Sequence, residues 1–438
     1  MKIRVAYDIS LLADWFNRPD SKSGIYRVAE EIMFRVSKRD DVELTAMGIC
    51  GDDVLASSIK SYLYVETFKD HAPCRFDNTF KSRLGLTNLY LKSFSACLSE
   101  DLAEGPKSAL RTLYYRGVRG ILYRLYYTYK LDDIHRVFDQ GRFDIFHSPY
   151  FKLPPRQLTK HVPRVITLHD LIPINAPEFV PAFYTIAVRE ILNSIDTERD
   201  WVISVSEYTK QEFCARTAMS PDRVFVVPLA ASGHFHRVYD ASRLAVVRQR
   251  YDIPEGDYVL SIGSLEARKN LTHLIRCFSK LLSEHPTLDI TLVLVGRKGW
   301  AHEKIFSEVE SPSSLCSRVM FTGYVPDEDL SALYSGARAF VFPSLYEGFG
   351  LPLLEAMQCE VPVIASNTTS IPEVVGDAGI LVDPKDVDAL CQALLDLLTD
   401  NSLSQELKRK GLERAKLFSW DKSAADTVEV YKRIISNQ

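Results

Sequence analysis

Between residues 258 and 366, four short runs carry almost no polar side chains: YVLSIG from Tyr258, ITLVLVG from Ile290, RAFVFP from Arg338 and PVIAS from Pro362. Stretches of helical periodicity separate them. A strand with one wet face alternates apolar and polar residues, whereas a strand covered on both faces is apolar throughout. Runs of the second kind, alternating with helices, imply a parallel sheet with helices packed on both sides. The first half repeats the pattern less cleanly, in IRVAYDI, VELTAMG, FDIFHS, RVITLHD, WVISVS and VFVVP. At 438 residues the chain exceeds what one core usually holds. The pattern predicts two Rossmann-like α/β domains joined near residues 229–245. Open sheets of this kind take ligands at the carboxyl ends of their strands, so two facing domains would enclose a cleft.

Composition narrows the partners. A hydrophobic share of 46% with 25% charged residues fits an ordinary globular protein and excludes a disordered or fibrous one. The net charge of −4 argues against a general nucleic-acid binder. Eight cysteines are scattered without a C-x-x-C pair, as expected of buried thiols in a reducing compartment. The start, MKIRVAYDI, reads as a strand and not as a leader, and no run reaches the ~18 apolar residues of a spanning helix. The expected location is the cytoplasm. Residues 107–130, KSALRTLYYRGVRGILYRLYYTYK, carry six Lys/Arg, six tyrosines and no acid. Leu110, Tyr114, Val118, Ile121 and Leu125 share one helical stripe, with Arg116, Arg119 and Lys130 near the other side. Such a segment suits the inner face of the plasma membrane. A packing helix with a solvated basic face is the alternative, and Gly117 and Gly120 weaken the helix.

The stretch FVFPSLYEGFGLPLLEAM, residues 340–357, runs from a strand through a glycine turn into a helix, with Pro352 in the helix's first turn. Glu347 precedes the turn and Glu355 lies inside the helix. Glycines let backbone N–H groups approach a ligand, the helix start favours an anion, and ionised carboxylates accept from hydroxyls. A sugar joined to a nucleoside diphosphate offers both kinds of group. A turn whose acids merely offset the helix dipole is the plainer reading. GSLEARKN, residues 263–270, follows another strand and ends its loop with Arg268 and Lys269, an adjacent cation pair suited to a diphosphate. Two D-x-D triplets, at 327–329 and 386–388, precede helices and read as helix-start acids, not as metal ligands.

These stretches, with LVGRKGW, FTGYVPDEDL and PVIASNTTSIPEVVGDAGILVDP, resemble the family 4 glycosyltransferases of the GT-B fold. The likeness is specific over about 255–390 and weaker from about 145, and about 50–140 matches no pattern. It implies an acceptor-binding domain over 1–235, with a basic aromatic insertion at about 60–140. A nucleotide-sugar-binding domain follows over 236–417, and a last helix over 418–438 crosses back to the first domain. It also implies retaining transfer of a sugar from a nucleotide-sugar co-substrate, with no essential metal or other cofactor.

By the same resemblance, Glu347 contacts donor-sugar hydroxyls and Glu355 the ribose, while Arg268 and Lys269 hold the diphosphate. His169, in ITLHDL, lies near the anomeric centre, though a lone histidine beside an aspartate is more often structural. Ser264 stands where many relatives carry arginine. Arg297 joins the donor-binding set, Tyr324 and Val325 border the base, and the backbone of Gly348, Phe349, Gly350 and Leu351 meets sugar or phosphate. SKSGIYRVAEEI matches the family's first glycine loop with Gly24 alone. GRKGW is similar to bacterial mannosyltransferases of O-antigen or exopolysaccharide synthesis. The expectation is therefore a hexosyltransferase moving mannose from GDP-mannose to a lipid-linked or growing saccharide. The alternatives are another GDP-, UDP- or dTDP-sugar, a non-catalytic sugar-nucleotide binder, and another GT-B enzyme such as an epimerase or phosphorylase. No cofactor-lysine motif supports the phosphorylase.

Overall fold

The computed structural model describes residues 2–12, 24–49, 75–76, 138, 141–310 and 317–437. The basic aromatic segment 107–130 lies outside the described residues. The chain divides into two compact units, one of Met1–Leu168, Glu190–Ile203 and Ala424–Gln438, the other of His169–Arg189 and Ser204–Ser423.

The first sheet has seven strands: β1 (Ile3–Asp8), β2 (Val42–Met47), β3 (Arg75–Phe76), β4 (Ile145–Ser148), β5 (Arg164–Leu168), β6 (Trp201–Ser204) and β7 (Val224–Val226), in the order β3-β2-β1-β4-β5-β6-β7. β1 runs parallel to both β2 and β4, with Val5 beside Leu44 and Ile145. Val5, Ala6 and Tyr7 are fully buried, as an apolar central strand requires. The helix Gly24–Ser37 buries Val28, Ala29, Ile32, Met33 and Val36, the spacing of one helical face. The last helix, Trp420–Ser436, carries its end into this unit. Its buried Tyr431 hydroxyl lies 2.6 Å from Nδ1 of His147, and Lys432 pairs with Asp41 at 2.9 Å. The crossing-back helix expected from the sequence is thus present.

The second sheet has six strands: β8 (Asp257–Ile262), β9 (Ile290–Val295), β10 (Val319–Gly323), β11 (Ala339–Phe342), β12 (Val363–Ser366) and β13 (Gly379–Val382), in the order β10-β9-β8-β11-β12-β13. All its pairings are parallel. The order reverses direction between β8 and β11, the point at which open sheets of this kind bind ligands at the carboxyl ends of their strands. The helix Leu271–Glu284 covers one face with Leu271, Leu274, Ile275, Phe278 and Leu281, in one core with Leu292, Leu294 and Val341.

The two D-x-D triplets divide. Asp386 does cap its helix, accepting from the Ala389 N–H at 2.9 Å. Asp329 instead is fully buried and accepts from Arg243 at 2.6 Å, Arg250 at 2.7 Å and the Tyr251 hydroxyl at 2.7 Å. It fastens the helix Ala241–Arg250 to the helix Asp327–Gly336. Burial opposes its charge, yet the Tyr251 hydroxyl and the arginines hold its pKa below the ordinary carboxylate value. Among the described residues, no helix is long and apolar enough to cross a membrane.

Candidate active site

The site grows from the point where the second sheet reverses. β8 and β11 lie side by side, with Val259 opposite Ala339, and each ends in a loop. The two loops are tied together where the Leu345 N–H donates to the Arg268 carbonyl at 2.9 Å. Asn270 donates to the carbonyls of Pro343 at 3.1 Å and Pro384 at 2.7 Å, adding the loop after β13.

Glu347 sits at the centre. Its carboxylate receives Lys269 Nζ on one oxygen at 2.6 Å and Arg268 on the other at 2.8 Å. Arg268 also donates to the Tyr346 carbonyl at 2.7 Å and to Glu266 at 2.6 Å, so one guanidinium bridges two acids. Only 11–13% of the Glu347 and Arg268 side chains is exposed. Burial works against a charged Glu347, but the Arg268 and Lys269 cations outweigh it and bring its pKa down to about 2. Burial likewise pulls the Lys269 pKa below its ordinary value, partly countered by Glu347. Arg268 is opposed by burial too, yet the facing acids raise its pKa. The set Glu266, Arg268, Lys269 and Glu347 is compact, buried and neutral in sum.

The backbone around Glu347 is fixed from several directions. Its N–H donates to the Thr369 hydroxyl at 3.1 Å, and the Ser370 hydroxyl lies 2.9 Å from its carbonyl and 3.1 Å from that of Phe349. A Cβ at Gly348 would lie 2.1 Å from the His169 carbonyl oxygen, so only glycine permits this approach. Gly350 has φ of +112° and turns the chain into the helix Leu351–Gln358, a conformation side chains resist. Beside Gly348, Asp170 accepts from the Ile172 N–H at 3.0 Å, and burial raises its pKa.

Arg268, Lys269, Glu347 and the Gly348–Leu351 turn form one cluster, and the His169 backbone abuts it. Glu355, only 6% exposed, accepts from the Tyr334 hydroxyl at 2.9 Å. Ser264 is exposed at the start of its loop. The Arg297 guanidinium lies 4.2 Å above the exposed ring of Tyr324, whereas Val325 and Phe349 are buried and offer their backbone alone. Gly24 opens its helix in the first unit. Sequence reading overlooked Glu266 and Tyr346, although both lie inside the quoted motifs. It also overlooked Glu212 and Asn175, which anchor the Tyr346 hydroxyl and carry no local signal.

Residues 97–256 match glycosyltransferase family 4 and residues 246–414 the glycosyl transferases group 1. Over 288 residues the chain is 38% identical to the O-antigen chain mannosyltransferase B of Escherichia coli, covering 66% of this chain and 74% of that one. The chain belongs to the family 4 glycosyltransferases. A serotype-specific mannosyltransferase WbdA of E. coli is 33% identical over 278 residues, which are 62% of this chain and 34% of that longer protein. A glycosyltransferase of Rickettsia africae ESF-5 superposes over 100% of both chains with a TM-score of 0.64 at 15% identity, a likeness of fold. This family 4 glycosyltransferase is a hexosyltransferase of GT-B fold. Its sheet-reversal loops carry the buried Arg268–Lys269–Glu347 cluster.

Proposed function

We propose that this enzyme moves mannose from GDP-mannose to a lipid-linked or growing saccharide, with retention, in surface polysaccharide synthesis. The observation that carries the reading is Glu347 held ionised between Arg268 and Lys269 at the carboxyl ends of β8 and β11. The donor's diphosphate takes N–H donors of Arg268 and Lys269, which neutralise charge as the bond from the anomeric carbon to the phosphate oxygen breaks. Once the diphosphate has displaced Glu347 from them, the two buried cations are held by the fold against the charge that develops on it. Glu347 then turns its acceptor oxygens to the sugar's hydroxyls, and Glu355 with the loop of Tyr324 takes the nucleoside. His169 stands by the anomeric carbon. The acceptor hydroxyl bonds that carbon on the face the diphosphate leaves, and its proton passes to the departing diphosphate oxygen. No metal is assigned a step.

Mannose is favoured by the names of the relatives that align over this chain. The chain spans only about a third of the second, so transfer by that longer protein as a whole is not ascribed to this one. The segment 107–130 is proposed to hold the enzyme at the cytoplasmic membrane face. The test is nucleotide release from GDP-mannose, UDP-glucose, UDP-galactose and a dTDP-sugar, each with and without acceptor, with product anomers assigned by NMR. Acceptor-dependent release of GDP with α-linked product is expected. Release from a different donor only would overturn mannose. Nucleotide-induced thermal stabilisation without release from any donor would favour a non-catalytic binder.

A further inference from the structure

Phe183 is 57% exposed, Tyr184 37% and Trp300 48%, yet the three rings touch one another. Their centroids lie 4.4 Å apart for Phe183 and Tyr184, 6.3 Å for Phe183 and Trp300, and 6.4 Å for Tyr184 and Trp300. Trp300 stands at 81° to Phe183, so the rings make a floor and a wall. Ile186, 58% exposed one turn further along the helix Ala182–Asn193, extends the surface. We propose that Phe183, Tyr184 and Trp300 form a stacking platform for the pyranose units of the saccharide acceptor that lie behind the unit receiving the transferred sugar.

Two short backbone paths join this platform to the candidate active site. Trp300 follows Gly299, whose N–H donates to the Leu265 carbonyl at 2.9 Å and where a Cβ would lie 3.1 Å from that of Glu266. Glu266 is the second acid on Arg268. On the other side, Phe179 and Val180, just ahead of the helix bearing Phe183, pack against the small core of Ile172, Ala176 and Tyr346. The Tyr346 carbonyl accepts from Arg268 as well. The elements that carry the rings are thus fastened to the residues that hold Arg268.

The chemistry selects a neutral polyol. A pyranose ring presents a face of C–H bonds and a rim of hydroxyls, and the negative face of an aromatic ring attracts polarised C–H groups. A lipid surface would instead call for cations interleaved with the rings. The two cations next to Trp300 are turned elsewhere, Arg297 over Tyr324 and Lys298 over Phe306. Only the saccharide nature of the acceptor is taken from the proposed function; the donor plays no part.

The test is calorimetric binding of methyl α-mannoside and its α-linked di-, tri- and tetrasaccharides, with α-glucosyl and α-galactosyl sets of equal length. Wild-type affinity is expected to rise with length in at least one set. Trp300→Ala and Phe183→Ala should weaken the longest member about tenfold, equal to ~1.4 kcal/mol, and leave the monosaccharide unchanged. Trp300→Phe should restore much of the loss, and the thermal shift induced by GDP checks folding of each variant. Equal affinities in wild type and alanine variants would overturn the platform, as would binding of no set by the wild type. Loss of vesicle binding with unchanged saccharide affinity would also overturn it, in favour of a lipid surface. Length-dependent binding that needs the rings, together with turnover of a donor other than GDP-mannose, leaves the platform standing and removes the mannose reading.

Discussion

Glu347→Gln removes one charge and keeps the side chain's shape and one acceptor oxygen. In the folded protein the Glu347 pKa falls from 4.5 to about 2. That difference is worth about 3 kcal/mol in favour of the ionised form, after burial has been overcome. Glutamine forfeits it and leaves Glu266, paired with Arg268, as the one acid in the set, which gains an excess positive charge. Breaking a buried ion pair from one side costs on the order of 3–5 kcal/mol. The ligand-free variant should therefore melt earlier. A diphosphate now meets cations freed from their internal counter-ion, so GDP should bind about as tightly or more tightly, and should restore more of the variant's stability than of the wild type's. Turnover should nevertheless fall on the order of 100-fold, because the sugar is no longer held in register.

The pH dependence follows from the direction of the shift. A carboxylate whose pKa is depressed on folding contributes stability that is complete above pH ~4.5 and is lost as pH falls toward 2. Wild type should therefore lose about 3 kcal/mol more than Glu347→Gln across that window. Calorimetric titration with GDP, single-turnover transfer from GDP-mannose and acid melts together read all of these. If GDP affinity fell in parallel with turnover, Glu347 would not be competing with phosphate for the two cations, and the reasoning would fail.

Arg268→Ala and Lys269→Ala should each lower the single-turnover rate by about 10²–10³, the usual worth of one donor to developing charge; full turnover in both folded variants would remove them from the reaction. Glu355→Gln keeps an acceptor for Tyr334 and should chiefly raise the donor KM, since a ribose contact is alike in ground and transition states. A selective fall in kcat would contradict that role. Asp329→Ala leaves two part-exposed arginines and a tyrosine without their shared acceptor and should destabilise the fold by about 1–3 kcal/mol in denaturant titrations, with donor affinity unchanged in the folded fraction. Changing the arginines of 107–130 to glutamine should weaken binding to anionic vesicles by about 1 kcal/mol per residue, read by co-sedimentation. Equal sedimentation would end the membrane assignment.

What the sequence disclosed depends on how local each determinant is. Strands buried on both faces announce themselves in uninterrupted apolar runs, so β8, β9, β11 and β12 were legible from YVLSIG, ITLVLVG, RAFVFP and PVIAS, and with them the α/β class. The return of the last helix to the first unit came from the family resemblance; the Tyr431–His147 contact that fastens it links residues far apart in the chain. Asp329 misled for a related reason. An acid in the first turn of a helix favours that end through the dipole, and nothing nearby revealed that Arg243 and Arg250 would reach it from another helix.

The site shows the same division at closer range. Its parts were visible as two motifs about 80 residues apart, each with a glycine turn and a charge pattern that suits a phosphorylated sugar. Their joining was not, because it follows from strand order: β11 pairs with β8 and not with β10, its predecessor in the chain. That one pairing brings Arg268 and Lys269 onto Glu347. It also changes the physical character of all three. Read singly, they are a basic pair awaiting an anion and an acid awaiting hydroxyls; read together, they neutralise one another inside the protein. Under the proposed function the carboxylate exchanges these two cations for the sugar's hydroxyls when a donor binds, which is why removing its charge is expected to separate nucleotide affinity from turnover.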